Sequence, residues 1–313
     1  MKRSGMLPAI ALAAAVVSAT AGCTASGGTP RGSGAAAAMN AAAPYTPPAV
    51  PVSGLTRGMT LPLEAYEETL PTYTEILKAR FAIESACMRG YGFSFKPKAD
   101  TNAVSYDSSN MQRRYGLSDP AEAAQYGYAL PAFMQAGPAD PGLSSQEYLV
   151  LTGGATPGGA PNPTPGTYNG KAIPAGGCVG QADQQLSDPA NGMLVNDLDQ
   201  QSQQESQALP EVKAAIGQWS DCMRQNGYQA PDPLKASLLT QQSGAQPGDA
   251  VDRKIAVADV ACKGRTNLIG VWFAAESAVQ KRYIATNEPQ LRKDMATLTA
   301  VRDKAQAILA AAR

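Results

Sequence analysis

The side chains with the widest chemical reach here are five cysteines, Cys23, Cys87, Cys178, Cys222 and Cys262, in a chain of 313 residues without histidine. Without imidazole there is no Ser-His-Asp or Cys-His nucleophile and no His-ligated metal. Any catalysis must come from carboxylates, Lys, Tyr or Ser. Two cysteines sit in near copies of one phrase, ACMRGYGF at 86–93 and DCMRQNGY at 221–228. Each runs Cys, Met, Arg, then a Gly five residues after the Cys and an aromatic after that Gly. One reading is a paired metal or redox site; the other is a structural joint used twice. A four-thiolate zinc site usually takes its ligands in closely spaced pairs, and no two of these cysteines are close. An even count outside the membrane favours disulfides. Each CMR phrase is followed, far along the chain, by one further Cys. Of the three connectivities open to four cysteines, that favours Cys87–Cys178 and Cys222–Cys262. No metal and no cofactor is expected.

The fifth cysteine belongs to the start of the chain, MKRSGMLPAIALAAAVVSATAGC. Lys2 and Arg3, an Ala/Val/Leu-rich stretch and small residues before Cys23 read as an export signal over 1–22. Thr20-Ala21-Gly22-Cys23 resembles a bacterial lipobox, with Thr where Leu or Val is usual. Cys23 would then be the acylated first residue of the mature chain, and two acyl chains suffice for stable anchoring in a bilayer. Residues 23–60 are almost all Gly, Ala, Ser, Thr and Pro, a composition that cannot offset its ordering entropy, so a lipid-anchored disordered tether is expected. Residues 61–313 read as one helical domain, within which a subdivision could fall near 187–209. The localisation that follows is the outer face of a cell membrane.

Lys plus Arg and Asp plus Glu both number 26, so the electrostatic footprint of a nucleic-acid binder is missing. Two kinds of candidate site remain. Glu64, Glu67, Glu68, Glu84 and Glu122 could supply the two acids of a glycosidase, which must lie about 5 to 9.5 Å apart. Tyr106, Tyr115, Tyr126, Tyr128, Tyr148 and Tyr168 could form a binding surface, since Tyr orders cheaply and presents both apolar and polar edges. They could equally close a helical core.

The elements that must position these residues are mainly helical. Val212, Ala215, Ile216, Trp219, Cys222 and Met223 follow a 3.6-residue period after Pro210, and Gly227 suits a left-handed helix stop. The first copy has a looser stripe, Tyr73, Ile76, Leu77, Ile83 and Cys87, after Pro71. Asp249 should cap a long helix ended by Asn287-Glu288-Pro289, with a second helix returning as a long antiparallel hairpin. Asp249–Arg253, Asp259–Lys263 and Glu288–Arg292 are spaced as acid–base pairs on a solvated helix face. Asp119 with Glu122, and Ser144 with Glu147, read as capping boxes. TYNGKAI carries the Asn-Gly signal of a small β-hairpin in an irregular middle, and LVNDLDQQSQQESQ reads as an exposed helix held by Leu194 and Leu198. The fold class is therefore mainly α: a disulfide-stapled helical bundle.

The order of CMR-x-x-G, RRYGL (113–117), AAQYGY (123–128), GGCVGQA (176–182), WSDCMRQNGY (219–228) and ADVAC (258–262) resembles a family of actinobacterial exported lipoproteins of uncharacterised function. The resemblance spans about 60–290 and implies an exported helical domain with two disulfides, but no activity. It also implies a Glu in the GGC phrase where this chain has Gln181, so a general acid there would be lost. Function is expected to be non-catalytic binding of a protein partner or cell-envelope component, with a carboxylate hydrolase or binder of wall glycan as the alternative.

Overall fold

A computed structural model describes residues 54–97, 111–130, 142–154 and 166–312. The expected signal peptide, Cys23, most of the tether and Tyr106 lie outside these residues. The tether boundary needs correcting at its C-terminal end. Leu55 is buried in the core and its N–H donates to Ser118 O at 3.0 Å. Leu55, Leu61 and Leu63 are the apolar anchors of this stretch.

The described residues contain nine α-helices and one two-stranded sheet. The helices are α1 (Leu70–Arg89), α2 (Pro120–Tyr126), α3 (Ser145–Thr152), α4 (Gly177–Leu186), α5 (Leu194–Gln207), α6 (Pro210–Gln225), α7 (Leu238–Gln242), α8 (Ala250–Thr266) and α9 (Leu268–Ala311). Between α3 and α4, β1 (Thr167–Tyr168) pairs antiparallel with β2 (Lys171–Ala172) around Asn169 and Gly170. Both turn residues have positive φ, as a tight two-residue hairpin demands.

The two CMR phrases are one joint built twice. In each, the Met is fully buried and its carbonyl accepts from the aromatic N–H five residues on, Phe93 at 3.1 Å and Tyr228 at 3.0 Å. Gly92 and Gly227 take φ of 88° and 86°, so each helix ends in a Schellman-type reversal. Arg89 and Arg224 point outward in the last turns, where a cation complements the helix dipole. One residue before each Met, a disulfide crosses to a later helix: Cys87 to Cys178 on α4, and Cys222 to Cys262 on α8.

Helix α9 is the spine. Its first turns, from Leu268 to Ala275, join α6, α8, Tyr115 and Leu117 in one apolar core. Its later turns, Leu291 to Ala305, join α1, α4 and α5 in another. A third cluster gathers the end of α1, Val150 and Leu151 of α3, Ile173 and Cys178. The turn between the C-terminal helices lies at Asn267 rather than at 287–289. Asn267 adopts a left-handed conformation, which Asn tolerates, and ends α8. Pro289 instead stays inside α9. It strands the carbonyl of Ala285, but both residues face solvent and water can serve that oxygen. Apolar contacts on either side hold the helix through the proline.

Helix α5 also departs from expectation. It is no exposed helix: Val195, Leu198, Ser202 and Ser206 are buried against α9. Leu194 N–H donates to Asp294 and Ser206 accepts from Trp272, so the two helices run antiparallel. The stretch 187–209 therefore ties the bundle together instead of dividing it.

Candidate functional site

Two buried polar networks carry the densest chemistry, and both receive residues from the segment 111–128. The first lies along the α5–α9 seam. Asp199, Ser202 and Ser206 face Trp272, Glu276 and Gln280, spaced three and four apart on α5 and four apart on α9. Ser206 accepts from Trp272 Nε1 at 2.9 Å, Ser202 donates to Glu276 at 3.0 Å, and Gln280 donates to Ser202 at 2.9 Å and Asp199 at 3.0 Å. Small hydroxyl side chains on α5 leave room for these long partners.

Arg114 enters this seam from the 111–117 turn. It pairs with Asp199 at 2.8 Å and Glu276 at 2.5 Å, and Tyr115 Oη donates to Glu276 at 2.8 Å. Gln203 Nε2 then donates back to Arg114 O at 2.7 Å. Burial works against the Arg114 charge, yet hydrogen bonds and ion pairing with Glu276 and then Asp199 carry its pKa above the ordinary value. Burial raises the Asp199 carboxyl, with Arg114 opposing. Burial and the Glu276 charge lift the Tyr115 phenol well above its usual range, so it stays a donor. One cation stands between two carboxylates, each braced by further donors, as a buried ion cluster requires.

The second network joins Leu117 and Tyr128, on either side of α2, to α6 and α8. Asp259 accepts from Lys263 at 3.0 Å, Trp219 Nε1 at 3.0 Å and Tyr128 Oη at 3.1 Å, while Lys263 also donates to Leu117 O at 2.9 Å. The Asp259–Lys263 pair is thus fully buried, not on the solvated face its spacing suggested. Burial pushes Asp259 up and Lys263 down, and their mutual contact opposes both shifts. Three donors converging on Asp259 fit the ionised carboxylate. Next to it, Asp252 accepts from Thr240 Oγ1 at 2.5 Å, Gly248 N at 2.7 Å and Tyr128 N at 2.9 Å. Gly127 is required at this crossing: its φ is 65°, and a Cβ there would lie 1.9 Å from Asp252 Oδ2. The segment 111–128 is therefore a strap fastened at Arg114, Tyr115, Leu117 and Tyr128.

The five candidate carboxylates do not form one group, because Glu84 stands apart from Glu67 and Glu68. Glu64 caps Leu61 N at 2.8 Å. Glu122 does not close a capping box; Asp119 alone caps α2, and Glu122 pairs with Gln112 and Arg113. Glu67 and Glu68 precede α1, whereas Glu84 lies 14 residues into it, about 21 Å along a helix axis at ~1.5 Å per residue. That separation is well beyond the reach of a glycosidase pair. Glu84 is distinctive in another way. It is 4% exposed and burial raises its carboxyl from 4.5 to about 7. Gln181 is half-buried on α4, three residues after Cys178.

The tyrosines divide between core and surface. Tyr115 and Tyr128 fasten the strap. Tyr168 is half-buried and packs on Phe93, with ring centroids 5.0 Å apart, and on Tyr91 at 6.4 Å. Tyr126 and Tyr148 are likewise half-buried. Ser144 and Glu147 do form a reciprocal capping box at α3, and Glu288–Arg292 is a surface pair. An open cleft of ≈ 370 Å³ lies between α5, α6 and Asp232, lined by Gln204, Gln207, Lys213 and Ile216. No member of either network lines it. Among the described residues, no group of three His, Cys, Asp or Glu is placed to hold a metal ion, and no helix is long and apolar enough to cross a membrane.

Fold and site together define a mainly helical, two-disulfide protein whose charged clusters are sealed inside it. Comparisons with protein-family models, with curated proteins and with solved structures find no match.

Proposed function

We propose that the chain is an exported lipoprotein, held at the outer face of a cell membrane through acylated Cys23, that acts by binding a protein partner or a cell-envelope component. The observation that carries the binding reading is the fate of its charged side chains. Arg114, Asp199, Glu276, Asp259 and Lys263 hold the strap 111–128 to α5, α8 and α9, so they build a rigid scaffold rather than face a substrate. The lipobox-like Thr20-Ala21-Gly22-Cys23, the two disulfides and the ordered motifs similar to actinobacterial lipoproteins support export.

The test is thermal-shift screening of the purified protein with wall glycan and stem-peptide fragments, beside cross-linking on intact cells. A saturable shift with one fragment class, or one stoichiometric cross-linked protein, is expected. Hydrolysis of wall polymer by the wild-type protein, lost in Glu84→Gln, would overturn the binding reading in favour of an enzyme.

A further inference from the structure

At the α5–α6 corner the frame leaves an open cleft of ≈ 370 Å³, a volume at the small end of ligand sites, which run to about 300–1,000 Å³. Its walls are fixed from behind. On α5, Gln203 beside Gln204 donates to Arg114 O at 2.7 Å. On α6, Trp219 donates to Asp259 and Cys222 is bridged to Cys262. Next to Asp232, Pro233 is buried. A site held in this way needs little ordering when a ligand enters.

The lining selects a chemistry. Gln204 and Gln207 lie one turn apart on α5, and their carboxamides make no hydrogen bond among the described residues. Each offers a carbonyl acceptor and two N–H donors, the complement of a peptide unit. Lys213 is exposed, forms no ion pair among the described residues, and brings a cation with three donors. The Asp232 carboxylate is already committed: Oδ1 accepts from Leu234 N at 2.9 Å and Oδ2 lies 3.8 Å from Lys235 Nζ. Ile216, one turn after Lys213, adds an aliphatic surface with Ala208 and Pro231. No lining side chain is aromatic, so a base or sugar ring finds no face to stack on. The cleft is also far smaller than the roughly 1,200–2,000 Å² interface of a stable protein complex.

We propose that this cleft binds the carboxyl-terminal end of a short wall peptide with small aliphatic side chains. Lys213 holds the terminal carboxylate, Gln204 and Gln207 bond the last peptide units, and Ile216 and Pro231 receive the terminal side chain. The assignment rests on the binding reading above and narrows it to one ligand class and one site.

The experiment is an NMR titration of the isotope-labelled protein with N-acetyl-Ala-D-Ala-D-Ala, its C-terminal amide, and the all-L acid. Saturable shifts at Gln204, Gln207, Lys213 and Ile216 are expected with the D-ended acid, and roughly fivefold weaker binding with its amide. Lys213→Met should weaken the acid by the same factor and leave the amide unchanged, whereas Gln204→Ala/Gln207→Ala should weaken both alike. These are surface side chains, so the fold stays intact. No saturable shift at millimolar peptide, or equal loss of acid and amide in Lys213→Met, overturns the proposal. Tighter binding of the all-L acid also overturns it, because the cleft would then suit a protein end. A wall fragment or cross-linked protein that engages Lys213→Met as well as wild type sinks this site but leaves the binding reading standing. Failure of the binding reading itself shows as no ligand and no partner in the wider screen.

Discussion

Arg114 neutralises two carboxylates at once, and this makes its removal costlier than that of either acid. Arg114→Met leaves Glu276 and Asp199 facing each other in the core, where breaking a buried pair costs about 3–5 kcal/mol. Asp199→Asn keeps the Arg114–Glu276 pair and its own amide can still bond, so a loss of about 1–2 kcal/mol is expected. Urea unfolding of both variants checks the order, and equal losses would mean that Arg114 is not the centre of the seam. None of this was readable from sequence. The spacing of Asp199, Ser202 and Ser206 and the four-residue step of Trp272, Glu276 and Gln280 are visible in retrospect, but each stripe gains meaning only once the helices lie side by side. Asp259 and Lys263 show the same limit, because four-residue spacing is identical for a solvated pair and a buried one.

At the scale of elements, local signals did well where they act locally. The Pro starts of α1 and α6, the Asp249 cap, the Ser144–Glu147 box and the Asn-Gly hairpin all depend on neighbouring residues alone, and all form. The errors lie where packing overrides propensity. Pro289 did not break α9, because Leu291, Leu298 and Val301 on one side and Trp272 on the other are buried. Asn267, an unmarked residue in the sequence, makes the turn. Helix α5 reads as exposed because, beyond Val195 and Leu198, its buried face is Ser202 and Ser206, residue types whose pattern is that of a solvated face. The strap 111–128 offers a test at this scale. Gly127→Ala forces a left-handed backbone and a clash with Asp252, so it should cost about 3 kcal/mol. Limited proteolysis should then cut first near 111–130, while cleavage first within α9 would place the weak point elsewhere.

For the whole molecule, the two joints divide the labour of holding the fold. Cys222–Cys262 ties α6 to α8 in the core around Trp272, and Cys87–Cys178 ties α1 to α4 in the cluster beside the hairpin. With partners 40 and 91 positions apart in sequence, chain entropy gives ceilings of about 4 and about 4.6 kcal/mol. Cys222→Ala/Cys262→Ala should therefore lower stability by up to about 4 kcal/mol, read by denaturant unfolding without reductant. A change below about 1 kcal/mol would mean that α6 and α8 are held by packing alone. Such bridges persist outside the cytoplasm, as the proposed anchoring of the domain to a membrane through Cys23 requires. The mass of the mature N-terminal peptide tests that claim most directly. Anchoring through Cys23 predicts a chain beginning at Cys23 and carrying a diacylglyceryl group, with Cys23→Ser leaving an uncleaved or soluble protein. An unmodified N-terminus at another residue, in a wild-type protein recovered from the soluble fraction, would contradict it.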